Sequence, residues 1–240
     1  MSTCIEVKNL TKSFSGRTVV DQLSLQVQTG EVFGLLGHNG AGKSTTIDLI
    51  LGLTKADKGS ATIFGRNAAK NRKEVFERVG VQLQSSNYQN NIRVGEICQQ
   101  MSALYNHPVD YHQLLQFFSL EQLEKSPVNK LSGGEKQRLS VALALINQPE
   151  IVFLDELTTG LDTAARRDVW RRLKGLKNQG TTIFLTTHYM EEAESLCDRI
   201  CLLKSGKKVV EGTVAEVIEK SPYDCLEDAY LWHMGEEVAQ

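Results

Sequence analysis

The hydrophobic positions of this 240-residue chain change their spacing several times, and each spacing predicts a type of element. Between residues 4 and 36 apolar and polar positions alternate, as they do in strands with one exposed face. The apolar run 31–36 ends at Gly37 and predicts a buried strand, and residues 44–53 then carry apolar positions at helical spacing. Residues 60–84 predict a strand, a helix and a second strand.

From about residue 90 to 147 the pattern predicts helices without strands, at 94–105, 110–118 and 134–146. Strands return at 151–154 and 182–187, separated by a helix at 163–178 and followed by a helix at 190–196, a hairpin at Ser205-Gly206 and a short tail over 221–240. Alternating strands and helices predict an α/β fold with a mostly parallel sheet. The strand-free middle predicts an inserted helical subdomain.

Composition narrows the class of protein without defining it. The formal net charge is −2, from 27 basic and 29 acidic residues, so no overall attraction to nucleic acid is expected. The five cysteines are scattered and odd in number, which is typical of a reducing compartment rather than of a disulfide framework. The N-terminus lacks a basic stretch followed by an apolar segment, and no apolar run approaches the ~20 residues of a membrane helix. We therefore expect a soluble, cytoplasmic chain.

Residues 37–45 carry the first chemical motif, with the pattern GxxxxGK[ST] between a predicted strand and a predicted helix. Glycines let backbone N–H groups point at phosphates, and the helix N-terminus adds positive potential. Lys43 is expected to reach the β- and γ-phosphates of a nucleoside triphosphate, with Ser44 on Mg²⁺ and Thr45 on the phosphates. The whole binding loop comprises Gly37, His38, Asn39, Gly40, Ala41, Gly42, Lys43, Ser44 and Thr45.

Two adjacent carboxylates follow the predicted strand 151–154. Because side chains alternate along a strand, Asp155 and Glu156 point in different directions and can have different roles. We expect Asp155 to hold Mg²⁺ through water. Glu156 is expected to polarise the water that attacks the γ-phosphate, a general-base contribution of roughly 10²–10⁴ in rate.

Other polar residues stand at strand ends or helix starts. Ligands of open α/β sheets bind beyond the carboxyl ends of the strands, so His188 and a glutamine at the end of strand 79–83 are expected near the γ-phosphate. Periodicity does not decide whether that glutamine is Gln82 or Gln84. Ser132 fits the N-cap of helix 134–146, which gives a second anion-binding helix terminus, although spacing alone favours a plain helix start.

With these motifs in place, the chain resembles the nucleotide-binding domain of ATP-binding-cassette (ABC) transporters from about residue 5 to 218. The most specific element is the octad 131–138, Leu-Ser-Gly-Gly-Glu-Lys-Gln-Arg, which looks like the family's signature motif. The other matching segments are 37–45 (Walker A), 151–156 (Walker B), 159–162 (D-loop) and 186–188 (switch histidine).

The resemblance assigns two further residues. It aligns Gln84, rather than Gln82, with the family's Q-loop glutamine, which belongs to the catalytic group and contacts Mg²⁺. It aligns Phe14 with the aromatic ring that stacks on adenine, a contact that tolerates any aromatic side chain. Taken alone, Phe14 is better explained as a core residue of a strand.

The resemblance also implies the architecture: a P-loop NTPase fold with a mostly parallel core sheet, an N-terminal antiparallel β subdomain and an inserted α-helical subdomain. Residues 1–240 then form a single ABC ATP-binding domain. Its core and β subdomain occupy 1–89 and 148–220, its helical subdomain with the signature motif occupies 90–147, and a short tail occupies 221–240.

By the same resemblance, two copies of the chain pack head to tail and enclose two ATP molecules. Each site then combines the Walker A loop of one copy with the signature helix of the other, and Asp162 crosses the interface. The signature residues that contact nucleotide are expected to be Ser132, Gly133, Gly134 and Glu135. The implied catalytic group is Glu156, His188, Gln84 and Lys43, and the implied Mg²⁺ ligands are Ser44, Gln84 and Asp155.

One residue departs from the family pattern. The family usually has proline after the Walker B glutamate, and this chain has Leu157. Leucine restores a backbone N–H and loosens φ, so we expect the turn that carries Glu156 to be less rigid.

Three classes of function fit these motifs: the ATPase subunit of a transporter, a soluble ABC ATPase, and a self-standing P-loop enzyme such as a small-molecule kinase. The signature octad, Gln84 and His188 argue against the kinase. The length of 240 residues argues against the coiled-coil insertion or second cassette of soluble ABC ATPases.

Segments 187–194 and 226–231 resemble bacterial ABC-2-type exporters, and the short tail argues against an importer with a C-terminal regulatory domain. We therefore predict an exporter ATPase, with an importer ATPase or a soluble non-transport ABC ATPase as alternatives. It would act at the inner face of the cell membrane through a separate membrane-spanning subunit, and without nucleic acid.

Overall fold

The computed structural model describes residues 2–82 and 88–236, and within them nine strands and nine helices. The strands are β1 (Thr3–Phe14), β2 (Arg17–Gln28), β3 (Val32–Leu36), β4 (Lys58–Ile63), β5 (Val79–Gln82), β6 (Ile151–Asp155), β7 (Thr182–Thr187), β8 (Arg199–Lys204) and β9 (Lys207–Thr213). The helices are α1 (Lys43–Ile50), α2 (Arg72–Phe76), α3 (Val94–Ser102), α4 (Tyr111–Phe117), α5 (Gly133–Ala144), α6 (Thr163–Asn178), α7 (Met190–Leu196), α8 (Val214–Glu219) and α9 (Leu226–Met234).

The strands form two sheets. A three-stranded antiparallel sheet has the order β2-β1-β4, and a six-stranded sheet has the order β5-β6-β7-β3-β8-β9. In the larger sheet every neighbouring pair is parallel except β8 and β9, which form the predicted hairpin. The predicted α/β class, with a mostly parallel sheet and an antiparallel N-terminal sheet, is therefore confirmed.

The central strands lack the polar alternation of β1 and β2 because both of their faces are covered. Every residue of β3, β6 and β7 is buried. Phe184 of β7 links the three strands, because its ring centroid lies 5.6 Å from that of Phe33 and 5.3 Å from that of Phe153. Such fully buried parallel strands appear in a sequence as continuous apolar runs.

Between residues 88 and 150 the described chain forms α3, α4 and α5 with two short 3-10 turns and no strand. Their buried residues, such as Phe118 and Leu139, belong to the same hydrophobic cluster as Val152 and Ile183 of the sheet. The helical segment therefore packs on one face of the sheet through a shared core. Its assignment as a subdomain over 90–147 stays a prediction.

Helix ends and the tail differ most from the sequence-based expectation. α1 ends at Ile50 rather than at 53, and α3 ends at Ser102 rather than at 105. The tail contains α9, whose Leu226 and Met234 are fully buried in a third cluster with Leu36 of β3. A short amphipathic segment beside polar residues gave too little periodicity to predict this helix. No helix in the described part of the chain combines the length and apolar character needed to cross a membrane.

Candidate functional site

The loop between β3 and α1 is held tightly by its neighbours. Gly42 has φ of 104°, and a Cβ on it would lie 2.5 Å from the carbonyl oxygen of Val19. A Cβ on Gly37 would lie 2.5 Å from the carbonyl oxygen of Leu203. Only glycine fits both positions, because one requires a left-handed backbone and each allows no side chain. The two glycines therefore let this segment form a tight loop, and the N-terminus of α1 that follows the loop faces an open cleft.

Lys43, the first residue of α1, is buried beneath this loop. Its Nζ donates hydrogen bonds to the carbonyl oxygens of Gly37 at 2.9 Å and His38 at 3.2 Å. The same nitrogen lies 3.0 Å from Oε1 of Glu156, and the two side chains are only 3% and 7% exposed. Pairing two buried groups of opposite charge offsets part of the cost of burying each of them.

A cleft of about 320 Å³ opens in front of the lysine. Its lining combines backbone and small polar side chains of the loop with one carboxylate. The lining residues are Val19, Asn39, Gly40, Gly42, Lys43, Ser44, Thr45 and Glu156. Backbone N–H groups at a helix N-terminus, a lysine and hydroxyls are the groups that bind phosphates.

The two carboxylates at the end of β6 have different partners. Asp155 accepts a hydrogen bond from the hydroxyl of Thr186 on β7. The N–H of Glu156 donates to the carbonyl oxygen of Thr186 at 3.2 Å and to its hydroxyl at 3.1 Å. Glu156 has φ of 49°, a left-handed conformation that costs a non-glycine residue about 1–3 kcal/mol. Thr186 therefore holds the carboxylate of Asp155 and the backbone of Glu156 from the neighbouring strand.

His188 reaches the same carboxylate from the end of β7. Its Nδ1 lies 3.8 Å from Oε1 of Glu156, and its ring centroid lies 4.2 Å from that of Tyr189. On α1, burial raises the pKa of the Asp48 carboxyl, and the negative charge of Asp155 raises it further. The structure thus brings Lys43, Glu156 and His188 together beside the loop.

The signature segment lies elsewhere on the chain. Ser132 is the N-cap of α5: its hydroxyl accepts the N–H of Glu135 at 3.3 Å, and the Glu135 carboxylate accepts the N–H of Ser132 at 2.7 Å. The backbone hydrogen bond from Ser132 lowers the pKa of Glu135. Ser132 and Gly133 are exposed, and among the described residues none from 131–138 lines the cleft. The single chain therefore does not bring Ser132, Gly133, Gly134 or Glu135 to the loop.

Three other predicted residues have distinct surroundings. The Asp162 carboxylate caps α6 by accepting the N–H of Ala165 at 2.9 Å. Phe14 ends β1 and is 47% exposed, so the alternative of a core residue is wrong. Its neighbour on the hairpin, Val19, reaches the cleft instead. Gln84 lies outside the described residues, and Gln82 is buried in β5.

Leu157 compensates for the absent proline in a way that the sequence did not indicate. Its side chain is 3% exposed and packs in the cluster shared with α5 and α6. Its carbonyl oxygen accepts a hydrogen bond from the side chain of Gln137 on α5. The expected loss of rigidity is therefore offset by burial and by a contact from the signature helix.

Sequence reasoning missed the residues that hold the site from behind. Thr186 and Gln137 lie inside recognised motifs, but the motifs assign them no role of their own. No pattern in the sequence indicates that Val19 lines the cleft. The N–H of Gly206 in the β8–β9 hairpin donates to the carbonyl oxygen of Ala41 at 2.9 Å. Its Ser-Gly turn predicted a hairpin but carried no information about which loop the hairpin contacts.

The fold and the cleft together define a P-loop nucleoside triphosphatase. The ABC transporter family model matches residues 20–159. Nod factor export ATP-binding protein I of Burkholderia lata is 43% identical over 221 residues, covering 90% of this chain and 72% of that protein. The protein of the same name from Ralstonia nicotianae is 42% identical over 219 residues, covering 89% and 68%.

A solved structure of the ATP-binding subunit of an ABC transporter agrees with a TM-score of 0.87 at 27% identity, covering 96% of this chain and 99% of that one. The chain therefore belongs to the ABC transporter family, as a subunit that binds and hydrolyses ATP. The predicted family and ATPase activity are confirmed, and the self-standing kinase is excluded.

Proposed function

We propose that this chain energises export through a separate membrane-spanning subunit, at the inner face of the membrane. The relatives at 42–43% identity are named export ATP-binding proteins, which supports export over import. Family membership supports the membrane partner. The cargo is a property of that partner rather than of the ATP site.

The catalytic proposal rests on one observation, the convergence of Lys43, Glu156 and His188 at the mouth of the P-loop cleft. Oε1 of Glu156 lies 3.0 Å from the lysine nitrogen and 3.8 Å from Nδ1 of the histidine. Lys43 and the loop N–H groups bind the phosphates of ATP and neutralise charge that develops on the γ-phosphate. Glu156 takes the proton of the attacking water, and His188 binds the γ-phosphate from the other strand end. The adenine ring stacks on Phe14.

The residues beside the cleft also fit Mg²⁺. Ser44 lines the cleft with a hydroxyl, and Asp155 offers a buried carboxylate. Magnesium prefers such oxygen ligands, and it binds through one or two protein groups plus phosphates and water. In the described residues no group of three or more His, Cys, Asp or Glu side chains forms a metal cluster. Ser44, Asp155 and Gln84 are the proposed protein ligands.

We also propose that two copies of the chain enclose ATP between them. Each P-loop cleft is partly open to solvent, and the exposed N-terminus of α5 offers N–H dipoles of the sign that anions need. Ser132, Gly133, Gly134 and Glu135 of one copy then face the nucleotide of the other, and Asp162 lies at the interface.

Glu156→Gln tests the catalytic assignment. The amide keeps the shape of the side chain but does not accept a proton, so ATP hydrolysis should fall at least ~10²-fold while ATP binding persists. Light scattering with ATP should show a trapped dimer. The matched control is Glu150→Gln at the other end of β6, where the carboxylate is exposed and pairs with Arg78. Normal hydrolysis by Glu156→Gln would remove this residue from the catalytic role, and a monomer under ATP would remove the shared site.

A further inference from the structure

A buried carboxylate on α7 has no part in the chemistry described above. Glu192 is 3% exposed, and its Oε1 accepts two hydrogen bonds. One comes from the hydroxyl of Thr158 at 2.9 Å and the other from the indole Nε1 of Trp170 at 2.9 Å. Burying a carboxylate is costly unless its hydrogen bonds are made, so this arrangement persists only where both donors are held in place. We refer to Glu192, Thr158 and Trp170 as the Glu192 hub.

The hub joins the turn that carries Glu156, helix α6 and the first turn of α7. Thr158 is fully buried and stands two residues after Glu156, in the same turn. Trp170 belongs to α6, which begins where that turn ends. Glu192 lies in the first turn of α7, which starts two residues after His188. A change in the hub therefore acts on Glu156 and on His188 at once.

The turn that carries Glu156 needs such anchors because its backbone is strained. Glu156 has φ of 49°, which its own side chain does not favour. On one side its N–H binds Thr186, and further along the carbonyl of Leu157 binds Gln137. The Thr158–Glu192 hydrogen bond is the third anchor, and it connects the turn to α7, the helix that follows His188.

A second contact between α6 and α7 lies directly behind the histidine. The guanidinium of Arg166 lies 4.4 Å from the ring centroid of Tyr189, and its Nη1 lies 3.8 Å from Glu191. Tyr189 in turn lies against the His188 ring. The two helices thus support the histidine from behind as one packed unit.

We propose that Glu192 is a positioning residue for ATP hydrolysis, which holds Glu156 and His188 at their working separation through Thr158 and α7. The inference rests on the proposed catalytic role of Glu156. Reactions that depend on alignment lose up to about 10²-fold in rate when a group is displaced by ~1 Å. The hub therefore controls turnover rather than nucleotide binding.

The test measures steady-state ATP hydrolysis by the full chain carrying Glu192→Gln, and separately Thr158→Val, which keeps the volume of threonine and removes the hydroxyl. Each should lower kcat by about 10-fold or more, with KM for ATP unchanged within about twofold. Glu194→Gln is the matched control, because it makes the same substitution on an exposed carboxylate of the same helix, whose partner is the N–H of Leu226 on α9. Its kcat should equal that of the parent.

The double variant Thr158→Val, Glu192→Gln separates positioning from general weakening of the fold. If both residues act through one hydrogen bond, the double variant is no slower than the slower single variant. Independent multiplication of the two effects would overturn the proposal. A lower unfolding temperature with unchanged kcat would also overturn it, since that is the signature of a purely structural role.

Failure of this inference is distinguishable from failure of the proposed function. If Glu156→Gln abolishes hydrolysis and the hub variants retain full kcat, only the hub is disproved. If Glu156→Gln hydrolyses ATP normally, the catalytic assignment itself fails. Should Glu192→Gln not fold, Thr158→Val alone still decides, because a normal kcat for that variant contradicts the proposal.

Discussion

Two helices of this chain begin in glycine-rich sequence, and they begin in different ways. α1 starts from Gly42 in a left-handed conformation without a side-chain cap, so its N–H groups face the cleft. α5 starts from Ser132, which forms a reciprocal capping box with Glu135. The N-terminus of α1 therefore leaves its backbone N–H groups available to phosphate. At the N-terminus of α5 the Ser132 side chain already accepts one of these N–H groups.

The space around the two helix N-termini also differs, since the first is enclosed and the second is open. The loop before α1 is confined by backbone atoms of β2, of β8 and of the turn after β8, whereas a Cβ on Gly133 would meet nothing within 4 Å. The P-loop therefore forms a phosphate-binding cleft from the residues of one chain. The signature terminus is an exposed surface with room for a partner, which is the arrangement that a shared ATP site requires.

The largest effect should come from exchanging the glycines for alanine. Gly42→Ala places a Cβ 2.5 Å from the Val19 carbonyl oxygen at φ of 104°. It should lower the free energy of unfolding by about 1–3 kcal/mol and remove ATP binding, because the loop must shift. Gly133→Ala should leave the free energy of unfolding unchanged or slightly raised, because alanine favours helices. Urea unfolding and calorimetric titration with ATP measure both.

Similar stability and ATP binding of the two alanine variants would contradict the difference between the N-termini of α1 and α5. A stable Gly42→Ala chain that binds ATP normally would show that the loop is not confined as described. A strongly destabilised Gly133→Ala chain would show that the signature terminus is a packed structural element.

A smaller effect is expected at the capping boxes of α5 and α8. Ser132→Ala should cost about 1 kcal/mol of stability. If Ser132 also contacts the partner's nucleotide, hydrolysis falls by about 10²-fold, while ATP binding by the monomer persists. Thr213→Ala is the matched control, because Thr213 caps α8 through the same reciprocal bonds with Glu216, at 3.2 and 2.8 Å. Equal hydrolysis by the two variants would contradict the shared site.

The smallest effect concerns the electrostatics of α1. Burial and Asp155 raise the pKa of Asp48 above its ordinary 3.8, so the folded chain binds this proton more tightly than the unfolded chain does. The resulting stability is fully present below pH 3.8 and is lost as pH rises through the raised pKa. Asp48→Asn should therefore stabilise the chain at neutral pH, by less than about 1 kcal/mol after solvent screening, and the gain should shrink towards pH 4.

Asp57→Asn should change the stability at neutral pH in the opposite direction, because the pKa of Asp57 is lowered. The backbone N–H of Ser13 donates to the Asp57 carboxylate and lowers its pKa, with a further hydrogen bond from Lys12. The stability from Asp57 is present at neutral pH and is lost as pH falls through its lowered pKa, so this variant should be destabilised at neutral pH. A gain from Asp48→Asn that is the same at every pH would rule out the electrostatic origin.

Motifs and elements that depend on local periodicity were predictable. The bounds of α6 and α7 were predicted as observed, and the strand, glycine loop and helix around Lys43 followed from neighbouring residues alone. The pair Asp155 and Glu156 was predictable for the same reason, since a strand end and its carboxylates lie together in sequence.

Contacts between distant segments were decided only by the tertiary structure. Nothing in the sequence pairs Thr186 with Asp155, Gln137 with Leu157, or Glu192 with Thr158 and Trp170, because each pair is joined by packing of separate elements. The buried helix α9 was also not predictable from local periodicity. Leu226 and Met234, at its two ends, are buried because they pack in one cluster with residues of β3 and β8. Local spacing encodes the shape of an element, whereas the partners of a buried polar group depend on which elements the core brings together.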